Sequence, residues 1–369
     1  MRHLQGPARS EGAILKSRTT TVVTLCSANY LAHAKTLGDS LLQHNPNVHF
    51  VIGLVDRMPA GLDASFCPNA ELLPVEKVGI TDLPLMLSRY SLVELNTAVK
   101  PFYLDYLYQR DPEVKNVIYF DPDIMVFGSL VVMEAELKNN NIILTPHSNT
   151  SDDSPENIRA ELAMISTGTF NLGFVATARS PVTERFLAWW KLRMRDYCYY
   201  KPGHGLFVDQ IWANLVPLYF DGVKIEKHRG WNMCYWNLFE RSLSREAGSY
   251  KVNGQDLLFY HFSSYSPLSP EFICKRAPTI PLATRPELKT LFEDYQNRLL
   301  SNGFMQVKDI KWAFEPQPVP LSKSQQAQLN IKRAFQGCMR GMLNVLPAAL
   351  RVRLGRFARF IGDNSPQRS

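Results

Sequence analysis

The alternation of strand-like and helix-like segments near the start of the chain restricts its fold more than any other feature. Residues 19–26 (TTTVVTLC) and 48–56 (VHFVIGLVD) are rich in β-branched and apolar side chains, which is typical of buried strands. Residues 30–44 between them (YLAHAKTLGDSLLQH) repeat leucine and alanine at helical spacing. A strand, a helix and a strand in this order predict a parallel α/β layer.

Later segments continue this pattern. Further strands are predicted at 116–120, 141–146 and 256–262, and further helices at 100–110, 180–197 and 285–300. Ser180 and Pro181 are typical of a helix start, and Trp189 and Trp190 inside that helix are expected to be core residues. We therefore expect an α/β fold with a mostly parallel open sheet, flanked by helices and extended by shorter antiparallel strands.

Composition narrows the class of protein. The chain has 369 residues, of which 45% are apolar and 20% charged, as in ordinary soluble globular proteins. Its six cysteines form no C-x-x-C pair, which argues against a zinc ribbon or redox motif and favours a reducing compartment. Residues 1–18 lack the apolar core of a signal peptide, and no stretch approaches the roughly 18 apolar residues of a membrane span. We therefore expect a cytoplasmic protein.

The net charge of +7 is concentrated at the C-terminus. Residues 327–369 contain eight basic residues and one acidic residue, a balance of +7, so the remainder of the chain is neutral. Nucleic-acid binding is not expected, because no known nucleic-acid-binding motif accompanies these charges. Within 345–361, an apolar stripe flanked by arginines predicts an amphipathic helix that contacts the inner face of a membrane peripherally. The alternative is that this stripe docks on the main domain or stays disordered.

These observations divide the chain into four segments. The main domain is expected to be the catalytic one, and the linker is recognised by its Pro, Ser and Gln content. The segments are an N-terminal tail (1–18), a catalytic domain (19–310), a linker (311–326) and a basic amphipathic helical segment (327–369).

Two aspartates interrupt the apolar stretch VIYFDPDIMVF at residues 117–127. Alternate residues of an extended chain face the same side, so Asp121 and Asp123 would repel each other and resist burial together. A divalent cation removes both penalties, and ligands of open α/β sheets bind at the carboxyl ends of strands, where these aspartates lie. A loop whose aspartates only cap turns is the alternative, because Asp-Pro pairs commonly start turns.

A histidine adds an imidazole to this pair. His261 lies at the end of another apolar segment, LLFYHFSS. Two carboxylates and one imidazole suit Mn²⁺ and tolerate Mg²⁺, and such a site leaves positions open for a substrate. A lone strand histidine is more often a structural residue, and the sequence does not show proximity.

Seven stretches in a fixed order resemble motifs of retaining glycosyltransferases with the GT-A fold, of the family 8 kind. The resemblance is strongest to bacterial enzymes that build surface polysaccharide or lipopolysaccharide, and it runs from Thr21 to Arg276. The stretches are TLCSANYLAHAKTLGDSL, ELNTAVKPFYLDYL, YFDPDIMVF, GTFNLGFVA, FVDQIWANLVP, GWNMCYWNL and FYHFSSYSP.

The resemblance implies a nucleotide-sugar donor, UDP-linked, whose diphosphate is bridged by a divalent metal. The metal ligands of the family match Asp121, Asp123 and His261. The family's base-binding positions match Ser27, Asn29 and Tyr30, and Ser27 stands where the family often has an aspartate.

Contacts to the donor's phosphate and sugar match Lys100, His147 and Asn171 by the same resemblance. Asp209 and Gln210 match the pair placed near the reacting carbon and the acceptor. Many family members have a G-x-K-P-W segment after the late histidine, whereas this chain has HFSSYSPLSPEFICKR. Lys275 is therefore the candidate for the positive charge that grips the diphosphate.

An aromatic and amide-rich segment, WNMCYWNLFER, has two interpretations. Trp231, Tyr235 and Trp236 with Asn232 and Asn237 suit a wall that faces sugars, through ring stacking and amide hydrogen bonds. Core packing with turn-forming asparagines explains the same residues equally well.

The function predicted from the sequence is a metal-dependent hexosyltransferase that acts on a glycan or glycolipid acceptor. A nucleotidyltransferase is the enzymatic alternative, but it predicts a glycine-rich basic loop after the first strand, and CSANYLAHA has neither property. A degenerate glycosyltransferase that binds or assembles without turnover is the second alternative. The intact Asp121, Asp123 and His261 argue against that loss of activity.

Overall fold

The computed structural model describes residues 19–275 and 280–315. The predicted N-terminal tail, most of the predicted linker and the basic C-terminal segment lie outside these residues. The helices are α1 (Leu31–His44), α2 (Leu83–Arg89), α3 (Leu92–Ala98), α4 (Lys100–Arg110), α5 (Val131–Leu137), α6 (Pro155–Thr167), α7 (Pro181–Tyr197), α8 (Gln210–Ala213), α9 (Val216–Tyr219), α10 (Lys289–Ser301) and α11 (Phe304–Val307). The strands are β1 (Thr20–Cys26), β2 (His49–Leu54), β3 (Glu71–Pro74), β4 (Asn116–Phe120), β5 (Ile124–Val126), β6 (Ile142–Pro146), β7 (Phe170–Ala178), β8 (Tyr200–Lys201), β9 (Leu206–Phe207), β10 (Val223–Ile225), β11 (Leu243–Glu246), β12 (Ser249–Val252), β13 (Gln255–Asp256), β14 (Phe259–His261), β15 (Phe272–Cys274) and β16 (Ile280–Pro281).

Seven strands form the central sheet, in the order β10-β6-β7-β4-β1-β2-β3. β1 pairs in parallel with β2 and β4, β2 with β3, and β6 with β10. β7 is antiparallel to both of its neighbours, β4 and β6. The predicted α/β fold with a mostly parallel sheet and short antiparallel additions is therefore confirmed.

Local sequence explains why the main elements form. β1 is a β-branched run, and all seven of its residues are buried, as suits a strand with neighbours on both sides and helices on both faces. α3 begins with a capping box, in which the hydroxyl of Ser91 accepts from Glu94 and the Glu94 carboxylate accepts in return. The hydroxyl of Ser180 accepts from the backbone of Thr183, so the predicted helix start at residue 180 is confirmed.

Apolar side chains cover both faces of the sheet. One core cluster packs α3, α4 and α7 against one face, and the other packs α1 and α5 against the opposite face. Trp190 is 1% exposed and belongs to the first cluster, as predicted, whereas Trp189 is half-buried and packs against the outside of that cluster. The indole of Trp312 donates to the carbonyl of Val55, so packing against the domain continues beyond the expected boundary at residue 310.

The predicted strand at 256–262 is two separate strands, β13 and β14. β13 pairs with β12, whereas β14 pairs antiparallel with β5, with His261 opposite Ile124. The break lets His261 reach the edge of the central sheet. Within 19–275 and 280–315, no helix has the length and apolar character that crossing a membrane requires.

Candidate active site and metal centre

The two aspartates lie in a turn between β4 and β5, and not in an extended segment as the sequence predicted. The backbone N–H of Ile124 donates to the carbonyl of Asp121 at 3.2 Å, which closes the turn around Pro122. β5 then pairs with β14, and the N–H of Phe262 donates to the carbonyl of Asp123 at 2.8 Å. This pairing brings His261 to the carboxylates. The three side chains therefore converge as expected, but through a turn and a strand pair and not through the alternation of an extended segment.

Asp121, Asp123 and His261 form one compact cluster, called here the acidic triad. The Nε2 atom of His261 lies 3.0 Å from Asp123 Oδ1 and 3.8 Å from Asp121 Oδ2. One ligand atom from each residue lies within 4.8 Å of the other two. The set of two carboxylates and one imidazole can hold a divalent metal ion, with further positions open to a ligand in the cleft.

Gly173 provides the space that the triad needs. β7 runs antiparallel to β4, so its first residues lie beside the end of β4, and the N–H of Asp121 donates to the carbonyl of Gly173 at 2.7 Å. A Cβ atom at Gly173 would lie 2.5 Å from His261 Cε1 and 2.9 Å from Asp121 Oδ2. The close approach of His261 and Asp121 at this position therefore depends on the absence of a side chain on Gly173.

A buried lysine joins the triad to Asp209. The Nζ atom of Lys100 donates to Asp209 Oδ2 and to the Leu172 carbonyl, both at 2.9 Å, and lies 3.6 Å from Asp121 Oδ1. The side chains of Lys100 and Asp209 are 6% and 2% exposed. The hydroxyl of Tyr119 also donates to Asp121 Oδ1, at 2.5 Å. Asp121 is thus held by Lys100, by Tyr119 and, through its backbone N–H, by the Gly173 carbonyl.

Burial and charge shift the pKa values of these groups. Burial acts to lower the pKa of His261, but the Asp123 and Asp121 carboxylates outweigh it and leave the pKa raised. Burial raises and His261 lowers the pKa of Asp123, with a net decrease. The pKa of Lys100 is raised because Asp121 and Asp209 outweigh its burial, and burial raises the pKa of Asp209 despite Lys100. The charge state of each of these four side chains therefore depends on the charges of its neighbours.

A network of amides and one imidazole lies beside the triad. The Asn171 Nδ2 donates to Gln210 Oε1 at 2.9 Å and lies 3.3 Å from His147 Nε2, and His147 Nδ1 lies 3.2 Å from the Thr169 carbonyl. The Asn171 oxygen accepts from Asn232 at 3.0 Å. Burial lowers the pKa of His147 to about 4, so its ring is neutral at pH 7.

The predicted base-binding residues lie near the end of β1. Ser27 and Tyr30 line the cleft, and Tyr30 is 40% exposed, with its ring stacked 4.2 Å from the ring of His33. The hydroxyl of Ser27 donates to Asn29 Oδ1 at 2.8 Å, and Asn29 is not among the cleft-lining residues. Lys275 is exposed at the end of β15 and does not line the cleft either.

Ten of the twelve predicted site residues line a single cleft of about 530 Å³, at the carboxyl edge of β1 and β4. A larger cavity of about 730 Å³ lies between α1, β5 and β12. Charged side chains on its wall pair with one another, with Lys224 2.7 Å from Glu136 and Arg298 3.1 Å from Asp294. The smaller cleft is therefore the candidate active site.

Two residues that contact the triad, Tyr119 and Gly173, were not predicted as site residues, although both lie within stretches that carry the family resemblance. Tyr119 and Gly173 flank the triad, and Trp236 lies with its ring centroid 5.2 Å from that of His261 and 5.3 Å from that of His147. β4 is a continuous apolar run that is buried from Val117 to Phe120, so the sequence contained no signal that Tyr119 would contact Asp121. Trp236 and Tyr235 line the cleft, whereas Trp231 is 4% exposed in the core, so both interpretations of the aromatic segment hold in part.

Sequence comparison finds two similar proteins in Bacillus subtilis strain 168. The chain is 27% identical over 202 residues to "Uncharacterized protein YfnF", over 54% of this chain and 65% of that protein. It is 23% identical over 247 residues to "Uncharacterized protein YfnD", over 66% of this chain and 77% of that protein. The chain thus spans slightly less than two thirds of the length of YfnF. No protein family model matches the sequence.

Structure comparison finds glycosyltransferases. The galactosyltransferase LgtC, in complex with donor and acceptor sugar analogues, aligns with 76% of this chain and 95% of its own, at 14% identity and a TM-score of 0.42. The apo-form glycosyltransferase GlyE of Streptococcus pneumoniae TIGR4 aligns with 80% of this chain and 65% of its own, at 14% identity and a TM-score of 0.45. Because both TM-scores lie below 0.5, these similarities do not establish an activity for this chain.

Proposed function

We propose that this protein is a metal-dependent glycosyltransferase of the GT-A type, similar to family 8. It transfers a hexose-type sugar from a UDP-linked donor to a glycan or glycolipid acceptor, with retention at the anomeric carbon. The observation that carries the proposal is the convergence of Asp121, Asp123 and His261 within 4.8 Å, in the cleft at the carboxyl edge of the sheet. Such a cluster suits a cation that grips a diphosphate.

The donor set of the triad fits a hard or borderline divalent cation. Two carboxylates and one imidazole favour Mn²⁺ and accept Mg²⁺, and all three residues line the cleft, which leaves room for a ligand beside them. When bound, the metal would supply electrophilic stabilisation of the negative charge that grows on the diphosphate leaving group. Asp121, Asp123 and His261 would hold it, and Tyr119 and Lys100 would fix Asp121 in place.

The donor would lie along the cleft in a defined direction. Tyr30 offers an exposed ring at the end of β1 on which a base can stack. His147, Asn171 and Gln210 carry hydrogen-bonding groups without charge that pair with one another at 2.9–3.3 Å, and the hydroxyls of a hexose can take over these contacts. The diphosphate would then lie between these two ends, next to the triad. Lys275 remains a candidate for a phosphate contact only as a sequence-based expectation.

Asp209 is better suited to positioning than to direct attack on the sugar. Its side chain is 2% exposed, and its Oδ2 atom accepts a hydrogen bond from Lys100 at 2.9 Å. A carboxylate held in this way neutralises Lys100, and the next residue along the chain, Gln210, is the first of α8. Gln210, whose Oε1 accepts from Asn171 at 2.9 Å in the cleft, would then be the member of the pair nearer the reacting carbon, and Asp209 would act through Lys100.

The proposed setting of the reaction rests on the sequence alone. We place the acceptor among bacterial surface polysaccharides or lipopolysaccharides, at the cytoplasmic face of a membrane. The basic segment at 345–361, which would contact that membrane peripherally, lies outside the described residues.

A panel of nucleotide sugars tests the proposal. Thermal shift and donor hydrolysis are measured for each nucleotide sugar with and without Mn²⁺. We expect one donor to raise the melting temperature and to be hydrolysed only when the metal is present. Asp121→Asn and Asp123→Asn should each lower the hydrolysis rate on the order of 10²-fold or more.

The control is Asp153→Asn, the same substitution at an exposed aspartate away from the cleft, which should leave hydrolysis unchanged. A donor that binds with metal but is never turned over would favour the degenerate, non-catalytic alternative. No stabilisation by any nucleotide sugar under any metal condition would refute the proposal.

A further inference from the structure

We propose that one end of the cleft binds the hydrocarbon chain of a lipid-linked acceptor. This inference rests on the proposed function and names the substrate class of the same site. The surface consists of apolar side chains from α3, α6 and the β8–β9 hairpin, called here the apolar rim. Its members are Leu92, Val93, Met164, Tyr200 and Phe207.

The three elements of the apolar rim are tied together. The N–H of Tyr200 in β8 donates to the Glu94 carboxylate of α3 at 2.8 Å, and the rings of Tyr200 and Phe207 lie 4.9 Å apart. β9 also packs against α6. The apolar rim is therefore a built wall of the cleft and not a set of unrelated surface residues.

The apolar rim is continuous with the proposed reacting end of the cleft. Phe207 lies two residues before Asp209 and three before Gln210, and all of them line the same cleft. Val93 is 61% exposed and Tyr200 is 56% exposed, so this wall offers apolar surface to a ligand. An acceptor whose hydroxyl reaches Gln210 would place its next group on the apolar rim.

Polar side chains near the apolar rim direct their donors back to their own helices. The Asn96 amide donates to the Leu92 carbonyl at 2.8 Å, and the Thr97 hydroxyl donates to the Val93 carbonyl at 2.9 Å. The Thr167 hydroxyl likewise donates to the Ala163 carbonyl at 2.8 Å. These donors are used internally, so this end of the cleft presents few hydrogen bonds to a further sugar.

These two properties select a hydrocarbon chain over a second sugar ring. A carbohydrate needs free donors and acceptors beside any aromatic face, because buried hydroxyls without partners are costly. A hydrocarbon needs only apolar surface, and each methylene removed from water strengthens binding, by about fourfold when it is fully buried. The apolar rim meets the second requirement and not the first.

A series of n-alkyl β-D-glucosides tests the inference on the full-length protein. Methyl, butyl and octyl glucoside are titrated by calorimetry, at concentrations below those at which octyl glucoside forms micelles. Because one side of a chain on an open wall stays in water, we expect about a twofold gain per covered methylene. With about three of the seven added methylenes covered, the gain from methyl to octyl is about tenfold. Val93→Ser should weaken octyl glucoside binding about threefold and leave methyl glucoside unchanged.

Leu162→Ser is the matched control. Leu162 is also 61% exposed and belongs to α6, but it does not line the cleft. The Leu162→Ser variant should bind methyl, butyl and octyl glucoside with the affinities of the wild type. Affinity that does not depend on chain length would overturn the inference, as would an equal loss in both variants, which would mean nonspecific adsorption.

The donor panel described above separates the two proposals. If a nucleotide sugar is turned over but chain length has no effect on affinity, the hydrocarbon-binding proposal is wrong and the glycosyltransferase proposal is retained. If octyl glucoside binds as expected and no nucleotide sugar binds, the hydrocarbon site is supported and the enzymatic assignment fails.

Discussion

Substitution of Gly173 by alanine is the sharpest test of the metal centre. The new Cβ atom would lie 2.5 Å from His261 Cε1, 2.8 Å from Asn171 Oδ1 and 2.9 Å from Asp121 Oδ2. Contacts below 3.0 Å are essentially never made by real Cβ atoms, so His261 or Asp121 must move. Overpacking of this kind costs about 1–3 kcal/mol of folding free energy. Misplacing ligands should also weaken metal binding by about 10–100-fold, as the loss of outer-shell support does.

The assay is the stabilisation of the protein by Mn²⁺, followed as a shift in melting temperature. At a concentration of 100 times the dissociation constant, a ligand stabilises the folded state by about 2.7 kcal/mol. A 100-fold loss of affinity at the same concentration leaves about 0.4 kcal/mol. We therefore expect the Gly173→Ala variant to fold with a lower melting temperature and to respond only slightly to Mn²⁺.

Gly203→Ala is the control, because no atom lies within 4 Å of a Cβ placed there. It should keep the melting temperature and the Mn²⁺ response of the wild type. A folded Gly173→Ala protein with the full Mn²⁺ response would show that the metal does not bind between Asp121 and His261. The acidic triad would then be a structural ion pair, and the proposed function would lose its basis.

Three further substitutions test the surroundings of the triad. Burial lowers the folded-state pKa of His147 to about 4, so the unfolded chain binds an additional proton below its ordinary pKa, and stability should fall by about 3 kcal/mol between pH 6.5 and pH 4. In His147→Gln this slope should be reduced in denaturation at several pH values, and an unchanged slope would contradict the assignment. Lys100→Met leaves Asp209 buried without its partner and should cost about 3–5 kcal/mol in urea unfolding, most of which the double variant Lys100→Met/Asp209→Leu should recover; additive losses would refute the coupling. Asn232 has φ +55° and donates to Asn171 and Thr145, so Asn232→Ala should cost about 2 kcal/mol, and a loss below 0.5 kcal/mol would show that the network is not structural.

Much of the fold was predictable because its strands are buried on both faces. β1, β2, β4 and β6 are continuous apolar runs, and α1, α4 and α7 carry their own start signals or helical spacing. The antiparallel direction of β7 was not predictable. Its sequence, FNLGFVATA, is as apolar as a parallel strand, and strand direction depends on the path of the connections on either side.

The site was predictable in its parts more than in its geometry. The two aspartates, the late histidine and the cleft residues around Asn171 were recognised by their motifs. The turn at Pro122 was taken for an extended strand, because a segment of three residues has no periodicity to distinguish the two. Asn29 was assigned by motif position alone, and Lys275 as a substitute for a motif lysine that this chain lacks; neither residue lines the cleft.

The sequence by itself determined which residue types stand at the ends of the elements: a pair of carboxylates after β4, an imidazole as the last residue of β14 and a lysine as the first residue of α4. Only the tertiary structure decided that they meet. The pairing of β5 with β14 brings together residues 138 positions apart in the chain, and the reversal of β7 places Gly173 beneath them. The physical reason is that local patterns record which side chains must be buried, whereas the neighbours of a buried charge are set by contacts between segments far apart in sequence, which no local pattern records.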